Sequence, residues 1–151
     1  MIILLDSGPL GLLTHARFSD PLAKQCNEWA VSVVRAGHRL VLPRIIDYEI
    51  RRELNRLGNV TSLARLDMLE ELAEMMEVDA PVLLTASHFW ADARKLGVPT
   101  ADRQHLDIDM ILTGHASVMA QRFPMEKVVI ATTNVRHLRR FADAREWDAI
   151  T

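Results

Sequence analysis

Short apolar runs mark the predicted strands of this chain. The clearest covers residues 2–5 and stops abruptly at Asp6, and another covers residues 127–133. A third run spans residues 39–42, and the tail at 146–151 is predicted to supply one edge strand. Apolar runs of this length, bounded by turn residues, are typical of strands buried on both faces of a parallel sheet.

Between these runs, apolar residues recur at three- and four-residue spacing, which predicts amphipathic helices. Ser7 and Pro9 open the first helix, Asp20 with Pro21 opens the second, and glycines close several others. The predicted helices cover about residues 7–15, 20–37, 45–58, 61–76, 82–96 and 106–121, with an extended piece at 77–80 and a loop at 98–105. Strands that alternate with long helices predict an α/β fold with a mostly parallel sheet and helices on both faces.

Composition indicates an ordinary globular protein. The chain has 151 residues, 49% hydrophobic and 25% charged, which fits a single domain covering 1–151. No stretch reaches membrane-spanning length, and the apolar start lacks the features of a signal peptide. The single Cys26 excludes an intrachain disulfide, so we expect a cytoplasmic protein without a membrane partner. A net charge of −2 means that any nucleic-acid contact has to use a local basic patch.

Several polar residues stand where the pattern expects apolar ones or nothing in particular. Asp6 follows a strand, Glu49 lies on the apolar side of a helix, and Asn134 follows the last long strand. Asp107 and Asp109 lie near the start of another helix, where the helix dipole favours acids.

Structural readings compete with functional ones at these positions. Asp6 would also serve as a capping or turn residue. Glu49 would also serve as a salt-bridge partner of Arg52 or Arg56, because a buried lone carboxylate is costly unless it is paired or bound to a metal.

Carboxylates from separate elements that meet at the rim of a parallel sheet would form an all-oxygen site. Such a site favours Mg²⁺ or Mn²⁺ over zinc. A divalent cation there would activate water and neutralise charge that develops on a phosphate, which suits phosphodiester hydrolysis.

Four segments, in order, carry a resemblance to a known family. They are Asp6 to Leu10, Pro43 followed by Glu49, residues 109–116, and residues 132–138. Together they resemble the signature segments of PIN-domain proteins, and the size of the chain resembles that of VapC toxins from bacterial toxin–antitoxin pairs. The resemblance implies a PIN-type α/β/α sandwich and a metal-dependent endoribonuclease. It also implies a homodimer silenced by a small antitoxin.

The resemblance also implies roles for individual residues. Asp6, Glu49 and Asp109 match the acidic metal ligands of the family. Asp107 would reach the metal only if its helix began at Asp109, because positions two apart on a helix point in different directions. Asn134 stands where many members have a fourth aspartate; it offers a carbonyl oxygen without charge, so a second metal would bind more weakly.

Other polar residues have both a functional and a structural interpretation. The hydroxyl groups of Thr132 and Thr133 would form hydrogen bonds either to a scissile phosphate or to the backbone. The basic run would clamp RNA phosphates or form a solvated face; it comprises Arg136, His137, Arg139 and Arg140. Three further arginines would bind RNA, bind an acidic partner or simply be solvated; they are Arg51, Arg52 and Arg56. The histidines lack metal-ligand spacing, and the aromatic residues Trp29, Tyr48, Phe89 and Trp90 favour packing over base stacking.

The sequence therefore predicts a PIN-type ribonuclease that acts as a toxin. Two alternatives remain open: a solitary nuclease in RNA processing or on DNA, and a non-catalytic module that binds RNA or protein. Asn134 keeps the non-catalytic alternative open, and the three acidic residues argue against it.

Overall fold

A computed structural model describes residues 1–17, 19–95 and 103–151, and these form one five-stranded sheet with helices packed on it. The elements in chain order are β1 (Ile2–Leu5), α1 (Ser7–Leu13), α2 (Pro21–Arg35), β2 (Arg39–Pro43), α3 (Arg44–Leu57), α4 (Val60–Leu72), β3 (Glu74–Met76), α5 (Ala80–Lys95), α6 (Arg103–Arg122), β4 (Val128–Thr132), α7 (Val135–Leu138) and β5 (Ala144–Glu146), with a 3₁₀ turn at Trp147–Ala149.

The sheet has the strand order β3-β2-β1-β4-β5, and every pairing in it is parallel. The central strand β1 is wholly buried, as its uninterrupted apolar run predicts. Helices cover the sheet, so the predicted α/β/α sandwich with a parallel sheet is confirmed. The carboxyl ends of β1, β2 and β4 therefore meet at one rim, where ligands bind in open α/β sheets.

Helix ends follow the predicted capping chemistry in several places. Asp20 accepts a hydrogen bond from the backbone N–H of Ala23 at 2.9 Å and caps α2. Gly58 ends α3 with a positive φ of 64°, which glycine adopts without strain. At the start of α4 the cap is Asn59, whose side chain accepts from the backbone N–H of Ser62.

The predicted helix over 61–76 is too long. It ends at Leu72, and residues 74–76 form the edge strand β3 beside β2. The prediction of an extended piece at 77–80 therefore placed the strand three residues too late. Pairing with β2 satisfies the backbone of this segment, and Arg39 holds Glu74 in a salt bridge of 2.7 Å. Tertiary pairing overrides the helical spacing of the methionines here.

The tail also differs from its prediction. The edge strand β5 lies at Ala144–Glu146, and the residues after it form a 3₁₀ turn instead of a strand. The turn buries Trp147 edge-on against Trp29, with ring centroids 5.6 Å apart. The indole N–H of Trp29 donates to the carbonyl oxygen of Ile150 at 2.9 Å, which fixes the chain end on α2.

The helix α6 begins at Arg103, earlier than the predicted start at Leu106. The predicted end of the preceding helix at 96–97, and residues 98–102 of the predicted loop, lie outside the described residues. Within the described residues, no helix combines the length and apolar character that crossing a membrane requires.

Candidate active site

Asp6 lies at the point where β1 ends and α1 begins, and two contacts fix its carboxylate. One oxygen, Oδ1, accepts a hydrogen bond from the backbone N–H of Ser7 at 2.7 Å, which makes Asp6 the cap of α1. This contact confirms the capping interpretation of Asp6. The other oxygen, Oδ2, accepts from the hydroxyl of Thr132 at 2.6 Å. A carboxylate has more lone pairs than these two bonds use, so Asp6 retains capacity for a further ligand.

Thr132 reaches Asp6 because of the register between β1 and β4. Leu5 pairs with Ala131, so the next residue of each strand also lies side by side at the rim. The Thr132 hydroxyl donates to Asp6 and accepts from the backbone N–H of Asn134 at 2.8 Å. This buried hydroxyl therefore connects the end of β4 to the carboxylate at the end of β1.

Asp109 projects from α6 toward Asp6 and Glu49. Burial first, followed by repulsion from the charges of Asp6 and then Glu49, raises the pKa of Asp109 to about 7. Asp109 is 25% exposed, and Glu49 on α3 is half-buried. The three carboxylates come from separate elements, as predicted, and they lie close enough at the rim of the sheet to interact electrostatically.

The donor chemistry of these three residues fits a hard divalent cation. Oxygen ligands carrying negative charge are what Mg²⁺ and Mn²⁺ prefer, and a cation would remove the repulsion that raises the pKa of Asp109. Among the described residues, no three His, Cys, Asp or Glu side chains already stand close enough together to hold a metal ion. Coordination by all three would therefore require their side chains to close around the cation.

Asp107 lies on a different face of α6 from Asp109. It is exposed and lines a groove beside α5 together with Ser87 and Trp90. Because α6 is already helical from Arg103, the condition under which Asp107 would reach the metal is not met. We therefore leave Asp107 out of the proposed metal site.

Thr133 is exposed and packs closely against Gly8 of α1. A Cβ added to Gly8 would lie 2.9 Å from Cγ2 and 3.0 Å from Cβ of Thr133, and closer still to its hydroxyl oxygen. Rotation of the threonine side chain would not relieve the contact with its own Cβ. Glycine at position 8 therefore lets α1 approach the end of β4, beside Asp6.

Gly8→Ala is expected to destabilise the protein by about 1–2 kcal/mol, because the new methyl group forces α1 away from Thr133. Urea unfolding followed by tryptophan fluorescence measures this loss. Gly11→Ala is the matched control in the same helix, since its nearest contact would be Ile50 Cδ1 at 3.9 Å. At position 11 the better helix propensity of alanine should stabilise the protein by up to about 1 kcal/mol. Equal effects of the two variants would contradict the packing argument.

The basic run lies beside the acidic cluster. His137 Nδ1 lies 3.9 Å from Asp109 Oδ2, and Arg136, Arg139 and Arg140 are exposed. Asn134 is also exposed and precedes α7. This places the predicted phosphate-binding residues next to the predicted metal ligands, on the same rim.

The arginines that flank Glu49 have different surroundings. Arg51 bridges Asp47 at 3.0 Å and Asp67 at 2.7 Å, and thereby ties α3 to α4. Arg56 pairs with Glu53, and Arg52 lies over the ring of Tyr48. Arg51 therefore has a structural role within the chain, which none of its three predicted interpretations included.

Two features of the site escaped the sequence analysis. Asp47 is only 3% exposed and is not among the candidate residues named from the sequence; Arg44 and Arg51 both face its carboxylate. Its four-residue spacing from Arg51 was the available signal. Thr132, and not Thr133, holds Asp6 because Ile2 pairs with Val128; a count from the predicted strand starts at 2 and 127 would have paired Asp6 with Ala131 instead.

His115 behaves as the structural interpretation of the histidines predicts. It is fully buried in α6, and its Nδ1–H donates to the carbonyl oxygen of Ile111 at 2.9 Å. Burial lowers the pKa of His115, so the ring is neutral at pH 7.

Comparison with known proteins gives matches at the level of structure alone. No protein-family model matches the sequence, and neither does any curated protein. Among solved structures, VapBC2 from Rickettsia felis, bound to a DNA fragment from its promoter, aligns with a TM-score of 0.71 and 13% identity, over 97% of this chain and 99% of that chain. FitAcB from Neisseria gonorrhoeae aligns with a TM-score of 0.71 and 16% identity, over 98% of this chain and 99% of that chain.

A third structure agrees with these two. VapBC-1 from nontypeable Haemophilus influenzae aligns with a TM-score of 0.69 and 19% identity, over 97% of this chain and 98% of that chain. These alignments span nearly the full length of each chain. They confirm the PIN-like fold that the sequence predicted, and at such low identity what they establish is the fold.

Proposed function

We propose that this protein, which has the PIN fold, is a divalent-cation-dependent endoribonuclease that hydrolyses RNA phosphodiester bonds. The observation that carries the proposal is the meeting of Asp6, Glu49 and Asp109 from three separate elements, close enough for two of them to raise the pKa of the third. Carboxylates concentrated in this way at the carboxyl ends of parallel strands are typical of a functional site.

The proposed metal ligands are these three carboxylates, with Mg²⁺ or Mn²⁺ as the cofactor. When bound, the cation would supply Lewis-acid activation of water and neutralise charge on the phosphate. The Asp6 carboxylate is firmly oriented, since Ser7 and Thr132 each hold one of its oxygens. Asn134 brings a neutral oxygen to the same rim, which favours one strongly bound cation over two.

The chain's own groups would position the substrate. Exposed Arg136, Arg139 and Arg140 provide charge-assisted hydrogen bonds to RNA phosphates beside the carboxylates. His137 lies against Asp109 and is placed to hold a proton near the reacting phosphate. Thr133, exposed at the end of β4, offers a hydroxyl to the same phosphate.

Within this proposal the protein acts as the toxin of a toxin–antitoxin pair, forms a homodimer and binds a small antitoxin. Full-length similarity in fold to chains of VapBC and FitAcB structures supports it. Large apolar side chains are also exposed on α4 and α5, which offers contact surface to a protein partner: Val60, Met68 and Leu84 are 61–75% exposed. A strict monomer by light scattering that ignores the protein encoded next to it would contradict the toxin version.

Purified protein is expected to cut a mixed structured RNA pool with Mg²⁺ or Mn²⁺ and to leave it intact with EDTA, because the carboxylates alone cannot activate water at a phosphate. Denaturing gel electrophoresis measures the cleavage. Single-stranded and duplex DNA of matched sequence test whether the substrate is RNA. Intact RNA with both metals, together with no Mn²⁺ binding by calorimetry, would reject catalysis in favour of a binding module.

A further inference from the structure

A groove beside the acidic cluster combines aromatic and basic side chains. It has a volume of about 500 Å³ and is lined by Phe89, Asp92, Lys95, Arg140 and Phe141. The two phenylalanine rings lie 5.7 Å apart at an angle of 45°, and both are only partly buried. Sites for small ligands span about 300–1,000 Å³, so the groove is large enough for a nucleotide.

The groove is connected to the proposed active site through shared elements. Arg140 and Phe141 follow α7, whose His137 lies 3.9 Å from Asp109. On the other side, Phe89 and Phe141 pack against Leu106 and Met110 of α6, which flank Asp109 in the sequence. The groove therefore lies among elements, α6 and the segment after α7, that also carry residues of the proposed active site.

The charges of the groove match a nucleic acid. Lys95 and Arg140 are exposed cations, and Asp92 is the single acid among the lining residues. Aromatic faces stack on any base, and neighbouring cations neutralise the phosphates of the same strand. An acidic partner would engage only the cations of the groove, and a purely apolar partner would engage only its aromatic rings.

We propose that this groove is a subsite for a nucleotide of single-stranded RNA next to the cleaved bond, with its base against Phe89 and Phe141 and its phosphates near Lys95 and Arg140. The proposal rests on the proposed ribonuclease function, and it adds base stacking outside the catalytic carboxylates. It revises the sequence-based interpretation in which Phe89 serves packing alone.

Fluorescence anisotropy with a labelled single-stranded RNA 12-mer tests the subsite, with EDTA present so that no cleavage occurs. Phe89→Leu keeps the apolar packing and is expected to weaken binding about fivefold or more. Lys95→Gln combined with Arg140→Gln should weaken it about tenfold and reduce the dependence of affinity on salt. On an abasic ribose-phosphate chain of the same length, the Phe89→Leu effect should fall below about twofold, because there is no base to stack.

Two variants elsewhere serve as matched controls. Lys24→Gln removes an exposed cation of α2 that pairs with Glu28, and Phe123→Leu shortens an aromatic residue under Arg39. Both should bind RNA like the wild type. Equal losses for groove and control variants, an unchanged Phe89→Leu effect on abasic RNA, or no RNA binding by the wild type would each overturn the subsite. Failure of the ribonuclease function appears separately, as intact RNA in the cleavage assay with Mg²⁺.

Discussion

Asp6→Asn is expected to lower the rate of RNA cleavage on the order of a thousandfold while the chain still folds. Asparagine caps a helix about as well as aspartate, so the bond from Ser7 N–H survives. The substitution removes the negative charge from a carboxylate that two residues hold in place, and thereby weakens the attraction of the site for a divalent cation. Cleavage measured over a range of Mg²⁺ concentrations separates weaker binding of the cation from slower chemistry.

Two controls make the same chemical change elsewhere. Asp20→Asn alters the cap of α2, where the carboxylate accepts from Ala23 N–H at 2.9 Å. Asp107→Asn alters an exposed carboxylate on α6 that faces the groove beside α5. Both variants should cut RNA within a few fold of the wild type. A loss with Asp107→Asn as large as that with Asp6→Asn would return Asp107 to the metal site.

Asp109→Asn is expected to stabilise the metal-free protein at pH 8 while it abolishes cleavage. The pKa of Asp109 is raised to about 7 in the folded state, so the folded chain binds the proton more tightly than the unfolded chain does. Wild-type stability should therefore fall as the pH rises from about 4 to about 7 and stay level above that. The pKa rises from 3.8 to about 7, and each pH unit corresponds to about 1.4 kcal/mol, so the loss is on the order of 4 kcal/mol.

The variant lacks this titration, so its advantage should be near zero at pH 4 and largest above pH 7. Urea unfolding at several pH values in EDTA, followed by tryptophan fluorescence, measures the difference. The free energy of unfolding of Asp107→Asn should change with pH in the same way as that of the wild type. Added Mg²⁺ should stabilise the wild type at pH 8 more than the variant, because a ligand stabilises the state that binds it. Parallel pH curves for wild type and Asp109→Asn would contradict the carboxylate cluster.

The elements of the fold were largely predictable because each carries its own local signal. The apolar run at β1 has no interruption, and Asp20 with Pro21 marks the start of α2. The predictions failed where a segment is short or its spacing is ambiguous, as at Glu74–Met76, since a three-residue strand takes its stability from its neighbour. Local propensity contributes less than pairing with β2 at that position.

The sequence by itself determined which residues carry the candidate chemistry, because carboxylates at the end of a buried strand or on the apolar side of a helix stand out against the local pattern. It singled out Asp6 and Glu49 as candidates in this way, and the resemblance to PIN-domain segments added Asp109. Tertiary structure decided the rest. The register of β1 with β4 places Thr132 on Asp6, and the start of α6 at Arg103 turns Asp107 away from Asp109. The groove of Phe89 and Phe141 joins residues 52 positions apart. Contacts between distant segments depend on how the helices pack on the sheet, and no local pattern in the chain encodes that packing.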